Sequence, residues 1–166
     1  MVFLFAGAAA AAEEAPFHIG IMTGTVSQSE DDLRGAELMI QKYGNSAERG
    51  MITHLTYPDN FMSEMETTIG QIVGLADDPK MRVIVVNQAI PGTAEGFRRV
   101  REKRPDIILL AGTAQEDPAV ITAAADVATI ADLRFCKFFV NRYSGRINIP
   151  SANIFMFYRL PMERRI

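Results

Sequence analysis

The sequence predicts an α/β fold, a doubly wound parallel sheet of five strands, for which the order 2-1-3-4-5 common to domains of this size is expected. Three observations predict it. Short apolar runs and amphipathic helical stretches alternate four times, with a fifth short run at the end. The β-branched runs are continuous rather than alternating, as in strands covered on both faces. No long structureless gap separates the units, and right-handed crossovers are expected between neighbouring parallel strands.

The first unit spans Phe17 to Tyr43. His18 to Met22 is short, apolar and bounded by polar turn residues, which suits a buried parallel strand. Ser27 with Glu30 and Ser29 with Asp32 are both at capping-box spacing, so the helix is expected to start there. Leu33, Ala36, Ile40 and Tyr43 then recur on one face, and Gly44 is a natural stop. Gly50 to Tyr57 reads as the second strand, ended by Pro58-Asp59-Asn60. Ser63 with Glu66 opens the second helix. Its apolar face is expected to be Met62, Met65, Ile69, Ile72, Val73 and Ala76.

Met81 to Val86 is the third strand, followed by Asn87-Gln88 and by the turn Pro91-Gly92-Thr93. A third helix is expected from about Ala94 to Lys103, ended before Pro105. Asp106 to Leu110 is the fourth strand. Asp117-Pro118 supplies an N-cap and a first-turn proline for a short helix to about Ala125. Val127 to Ile130 is the fifth strand. Beyond Asp132 the βα rhythm stops. Phe135, Phe138, Phe139 and Val140 are expected on a short helix, 141–146 as a turn, and Ile154 to Tyr158 as one more strand.

At 166 residues, with 48% apolar and 22% charged content, the chain has room for one globular domain with an ordinary core. The net charge of −3 hides an asymmetry: residues 1–132 hold ten Lys/Arg against nineteen Asp/Glu, whereas 133–166 hold seven against Glu163 alone. The domain organisation read from this is a signal-peptide remnant at 1–12, an α/β ligand-binding lobe at 17–131 and an aberrant basic tail at 133–166. A truncated or frame-shifted product, or an unrelated appended segment, would each explain the tail. Val2 to Ala12 is an apolar, alanine-rich run that meets Glu13-Glu14 abruptly. It fits the hydrophobic core and Ala-x-Ala cleavage site of a secretory signal without its basic start, and it is too short to span a membrane. Export, to the periplasm or cell surface, is expected.

Chemistry is expected where every crossover helix begins, outside the carboxyl ends of the strands. Uncharged polar residues gather there: Thr23, Thr25, Ser27 and Gln28 after the first strand, and Tyr57, Asp59 and Asn60 after the second. Asn87 and Gln88 follow the third strand, and Thr113 and Gln115 the fourth. Hydroxyls and amides both donate and accept, so the set suits a polyhydroxylated or heterocyclic molecule. Tyr57 is expected to offer a flat face to a ring. Turns favour the same residue types, so the clustering at every strand end carries the argument rather than any one position.

Other patterns point away from catalysis and cofactors. Neither G-x-G-x-x-G nor a phosphate loop is present. No nucleophile–base pair or metal set stands out, so no catalytic residue, metal or cofactor is expected. Cys136 is the lone cysteine. His18 and His54 read as core or edge residues. The run Arg98 to Arg104 reads as a solvated helix face, not a nucleic-acid patch.

Four stretches together resemble a known bacterial family: 17–31 (FHIGIMTGTVSQSED), 55–61 (LTYPDNF), 85–93 (VVNQAIPGT) and Glu116-Asp117-Pro118. The resemblance, over residues 17–131, is to domain-of-unknown-function family 3798, which is similar to type I periplasmic binding proteins, the solute receptors of ABC importers. It implies a Rossmann-like lobe that captures a small solute without catalysis, paired with a second lobe across a hinge. The ligand-binding residues it implies are Thr23, Ser27, Gln28, Tyr57, Asp59, Asn87, Gln88 and Thr113. An importer membrane component is the implied partner. A ligand-sensing regulatory domain of the same fold is the alternative, and a small α/β enzyme comes after it. The sequence departs from the family in two ways. No lipobox cysteine follows the signal-like run, so a lipid anchor is unsupported. The expected second lobe is also replaced by the basic tail, which would leave a sticky face.

Overall fold

A computed structural model describes residues 14–132 and 135–140. The expectations for the signal-like run, for 141–146 and for 154–158 lie outside the described residues. The elements are β1 (His18–Thr23), α1 (Val26–Tyr43), β2 (Ile52–Thr56), α2 (Met65–Leu75), β3 (Met81–Asn87), α3 (Thr93–Lys103), β4 (Ile108–Gly112), α4 (Pro118–Ala124), β5 (Val127–Asp132) and β6 (Phe135–Val140). A single 3₁₀ turn, Ser46–Glu48, joins α1 to β2. The sheet order is β2-β1-β3-β4-β5-β6. The first five strands pair in parallel, as the alternation predicts, in the order common to doubly wound domains of this size.

β6 is the main correction. The stretch expected to be helical is a strand, antiparallel to β5 from Val127↔Val140 to Asp132↔Phe135. Its aromatic and β-branched content fits a pleated surface. The free edge of β5, two residues back along the chain, offers an unpaired ladder to complete.

Two hydrophobic clusters hold the sheet. The larger packs Met22, Ile84, Val86, Leu109, Ala111 and Ala128 of the strands against Ile72, Leu75, Phe97, Val100 and Ile121 of α2, α3 and α4. The smaller, on the other face, has only Ile21, Ala36 and Ile52 fully buried, with Ile19, Ile40 and Met51 around them. The alternation of side chains along each strand divides the two sets, so α1 alone among the described helices covers the second face.

The helix starts differ from the capping-box reading. α1 begins at Val26, flanked by Thr25 with no side-chain cap, and is broken at Ser29, whose backbone is extended (φ −162°, ψ 88°). Ser29 Oγ donates to Asp32 Oδ2 at 2.7 Å, so the second of the two predicted pairs meets at this break. α2 is flanked by Glu64 rather than Ser63, and the Ser63 hydroxyl turns back to the Asn60 carbonyl at 3.0 Å. Its buried face is Thr68, Ile69, Ile72 and Leu75. Met62 and Met65, expected in that stripe, are 70% and 40% exposed, because both precede the point where the helix settles on the sheet. Asp117 caps α4 as the sequence implies, accepting from Ala119 N–H at 2.8 Å and Val120 N–H at 3.3 Å.

Candidate functional site

The carboxyl ends of β1 to β4 form one rim, and hydrogen bonds run across it from strand to strand. On the β2 side, Thr25 Oγ1 donates to Asp59 Oδ1, and the Thr25 and Ser27 hydroxyls lie 2.8 Å apart. Gln28 Nε2 donates to the Asp59 carbonyl at 3.1 Å. Those contacts tie the β1–α1 and β2–α2 connections together. The Thr25 and then the Ser27 hydroxyl hold the exposed Asp59 carboxyl below the usual carboxylate range, so it stays ionised at neutral pH.

Across the centre, the Tyr57 hydroxyl donates to Gln88 Oε1 at 2.8 Å, and Gln115 Nε2 donates to the same oxygen at 3.2 Å. Gln115 N–H also donates to the Gln88 carbonyl at 3.0 Å. Asn87 Nδ2 donates to Asp32 Oδ1 at 3.4 Å, joining β3 to α1. Gly112 lies opposite Asn87 in register, and a Cβ there would sit 2.5 Å from Asn87 Oδ1, so the glycine makes room for the amide. Gly24 does the same for the phenol, since its Cβ would lie 2.9 Å from the Tyr57 hydroxyl.

The backbone is strained at this rim. Gln88 (φ 62°), Ala89 (φ 25°) and Thr113 (φ 40°) are three of the four non-glycine residues with positive φ among the described residues. Such conformations cost on the order of 1–3 kcal/mol each and persist only where surrounding contacts enforce them. Here the contacts are the Gln88–Gln115 bonds and the Thr113 N–H, which donates to Thr129 Oγ1 at 2.6 Å.

The eight predicted residues therefore divide. Ser27, Gln28, Asp59 and Thr113 are exposed at the rim, and Asn87 and Gln88 are half-buried beside them. Thr23 and Tyr57 are fully buried. Thr23 Oγ1 lies 2.9 Å from His54 Nε2 and bonds the Gly24 carbonyl, a support under the rim rather than part of its surface. Tyr57 corrects an expectation. Its ring packs edge-on against Phe61 (5.8 Å between centroids), so no stacking face is presented, and its hydroxyl instead positions Gln88. Sequence reasoning does not single out Asp32 or Glu116 as site residues. Asp32 reads there as an ordinary first-turn carboxylate. The Glu116 carboxylate spans the start of α3, accepting from Gly92 N–H and Ala94 N–H at 2.8 Å each. Only its place in the Glu116-Asp117-Pro118 motif gives a sign of it.

Burial, and secondarily the nearby Asp32 charge, push the Tyr57 phenol up to about 12 from its ordinary 10. A raised folded-state value favours the neutral phenol. Its contribution is therefore complete below pH ~10 and is lost as pH rises from about 10 to about 12. Urea unfolding across that window is expected to show about 2–3 kcal/mol less loss in Tyr57→Phe than in the parent. Parallel pH profiles would show that phenol ionisation is not coupled to folding.

Away from the rim, His18 is buried, with Nδ1 2.5 Å from Asp78 Oδ2, and His54 is half-buried. The basic run on α3 is ion-paired: Arg98 and Arg99 with Glu95, Lys103 with Asp77, and Arg104 with Asp106. No group of three or more His, Cys, Asp or Glu suited to a metal occurs among the described residues. No helix among them is long and apolar enough to cross a membrane. An open groove of about 270 Å³ lies between β2 and α2, over Leu55, Leu75 and Met81. Its lining is mostly apolar and comes from outside the hydrogen-bonded rim.

Fold and rim together define a doubly wound α/β domain with a preorganised polar surface at its strand ends. The model of the family described as "Protein of unknown function (DUF3798)" matches residues 17–139, and the chain belongs to that family. The match runs past the 17–131 expected and takes in most of β6. An uncharacterised protein of Treponema pallidum (strain Nichols) is 40% identical over 121 residues, covering 72% of this chain and 55% of that protein. A second from the same organism is 36% identical over 64 residues, covering 39% of this chain and 30% of its own length. The chain thus spans about half the length of the first of these relatives. Among solved structures, it is similar to a Clostridium difficile 630 protein described as a "Putative transcriptional regulator". The TM-score is 0.61 at 27% identity, covering 70% of this chain and 34% of that one.

Proposed function

We propose that this domain is one lobe of an exported receptor for a small polar solute, bound at the rim without catalysis and handed to an ABC-importer component. The observation that carries the reading is the strained, cross-strand hydrogen-bonded belt formed by Tyr57, Gln88 and Gln115, with Asn87 and Asp32 beside it. Strain concentrated where ligands bind in open α/β sheets is a mark of preorganisation. Export is supported by the alanine-rich run before Glu13.

One rim encloses much less of a ligand than the 70–90% typical of closed sites, so binding by this chain is expected to be weak. Calorimetry with sugars, nucleosides and related polar solutes tests the reading. Asn87→Ala is expected to weaken any bound solute about tenfold, the loss of one good hydrogen bond. Binding unchanged by Asn87→Ala and Gln88→Ala would remove the rim as the site. A ligand-sensing regulatory domain is the second reading, favoured by the likeness to the Clostridium protein, which is described as a regulator. Recovery of a mature N-terminus at Glu13 from the cell envelope supports the receptor, and a cytoplasmic product with Met1 intact supports the sensor.

A further inference from the structure

We propose that the sheet face on the side of α1, where it extends over β3, β4 and β5, is a docking surface for the chain's own segment 147–160. Residues paired in register share a face of the sheet. Ile19 and Ile21 stand beside Val83 and Val85 of β3, these beside Ile108 and Leu110 of β4, and Leu110 beside Val127 of β5. The five residues from β3 to β5 are aliphatic and only half-buried. Ile84, Val86, Leu109, Ala111 and Ala128, which alternate with them, are buried under α2, α3 and α4. Parallel sheets are ordinarily covered on both faces, and the continuous apolar runs of β3 and β4 suit that arrangement.

Among the described helices, α1 alone lies on this face, and it packs on β1 and β2. The side of α1 turned toward β3 holds Asp32, which meets Asn87, then Gly35 and Met39 at helical spacing. A Cβ at Gly35 would meet nothing within 4 Å, and Met39 is 36% exposed. α1 and the sheet therefore make the wall and the aliphatic floor of an open shelf.

Position, length and charge together point to the occupant. β6 runs antiparallel to β5 and ends with Val140 opposite Val127, so residue 141 leaves from the border of this face. From β6 back to β3 the face is three strand spacings, about 14 Å, wide. Residues 147–160 span ~45 Å if extended and ~21 Å if helical, so either form crosses the shelf to α1. That segment is apolar at nine of its fourteen positions and carries no charge before Arg159. Residues 141–166 hold five arginines against Glu163, whereas 1–132 hold ten basic residues against nineteen acidic. α1, at the border of the shelf, carries four carboxylates against Arg34 and Lys42. Removing the aliphatic floor from water drives the docking, and the opposite charges favour its placement beside α1.

Methyl NMR on the full chain tests this. The methyls of Val85, Leu110 and Val127 are expected to show NOEs to the rings of Phe155, Phe157 or Tyr158 of the same molecule. A soluble gadolinium chelate is expected to relax those methyls several-fold more in the double variant Phe155→Ser, Phe157→Ser than in the parent. The methyls of Ile84 and Leu109, on the opposite face, keep their parent values; if they respond too, the variant has lost its fold and the parent NOEs alone decide. NOEs seen only between differently labelled copies in a mixed sample make a second copy the cover and overturn the proposal. NOEs from the alanine-rich run 2–12 overturn it as well. So do shelf methyls that the chelate already relaxes freely in the parent, or that the double substitution leaves unchanged in a folded variant.

Discussion

Asp126→Ala is expected to lower the unfolding free energy by about 3–5 kcal/mol, the cost of removing one partner from a buried ion pair. Asp126 stands at the start of β5 and is 5% exposed. One carboxylate oxygen, Oδ2, accepts from the Leu109 N–H at 2.8 Å and from Arg101 Nη2 at 2.9 Å. The residue therefore pins the end of α3 to the β4–β5 edge, where the parallel ladder is only two pairs long. Alanine takes the acceptor from a buried N–H and from a guanidinium together. Asp126→Asn keeps an oxygen for Leu109 and loses the charge, so it should fall between alanine and the parent. Urea unfolding at neutral pH, read by circular dichroism, measures all three. A loss below about 1 kcal/mol for alanine would mean that the contact is no stronger than an exposed ion pair.

Phe97→Ala is expected to cost about 3–5 kcal/mol, the range for deleting a buried aromatic ring and leaving a cavity. Phe97 is fully buried, within the larger cluster between α3 and the sheet. Met62→Ala, by contrast, should change stability by less than about 0.5 kcal/mol, because its side chain is largely exposed. The pair separates the apolar pattern that packs from the apolar pattern that does not. A large loss at Met62 would place it back in the core stripe that the helical spacing suggested.

How far the sequence could be read depended on whether the signal was local. β3 was legible because Val83, Ile84, Val85 and Val86 are stiff at χ1 and apolar on both sides. The start of α4 was legible because Asp117 and Pro118 act on their own neighbours. The break at Ser29 was not, since it depends on how α1 settles beside Asp32 and Asn87, residues from different units. β6 was missed for the same reason. Phe135 to Val140 fits either a helix face or a strand, and the open edge of β5 decides between them. At the rim, the composition of the strand ends pointed to the right places, but burial sorted the residues. Tyr57 turns inward, Thr23 braces His54, and Glu116 reaches 22 residues back to Ala94.

The unequal clusters on the two faces of the sheet leave the rim with unequal support. α1 and α4 each have one fully buried residue, Ala36 and Ile121, so opening of α1 is expected to require less free energy than opening of α2 or α3. Thr25, Ser27 and Gln28 travel with α1. β3 and β4 are packed instead in the larger cluster through Ile84, Val86, Leu109 and Ala111, so their opening is expected to approach the global unfolding of the domain. Native-state hydrogen exchange is therefore expected to be faster for the amides of α1 than for those of β3 and β4.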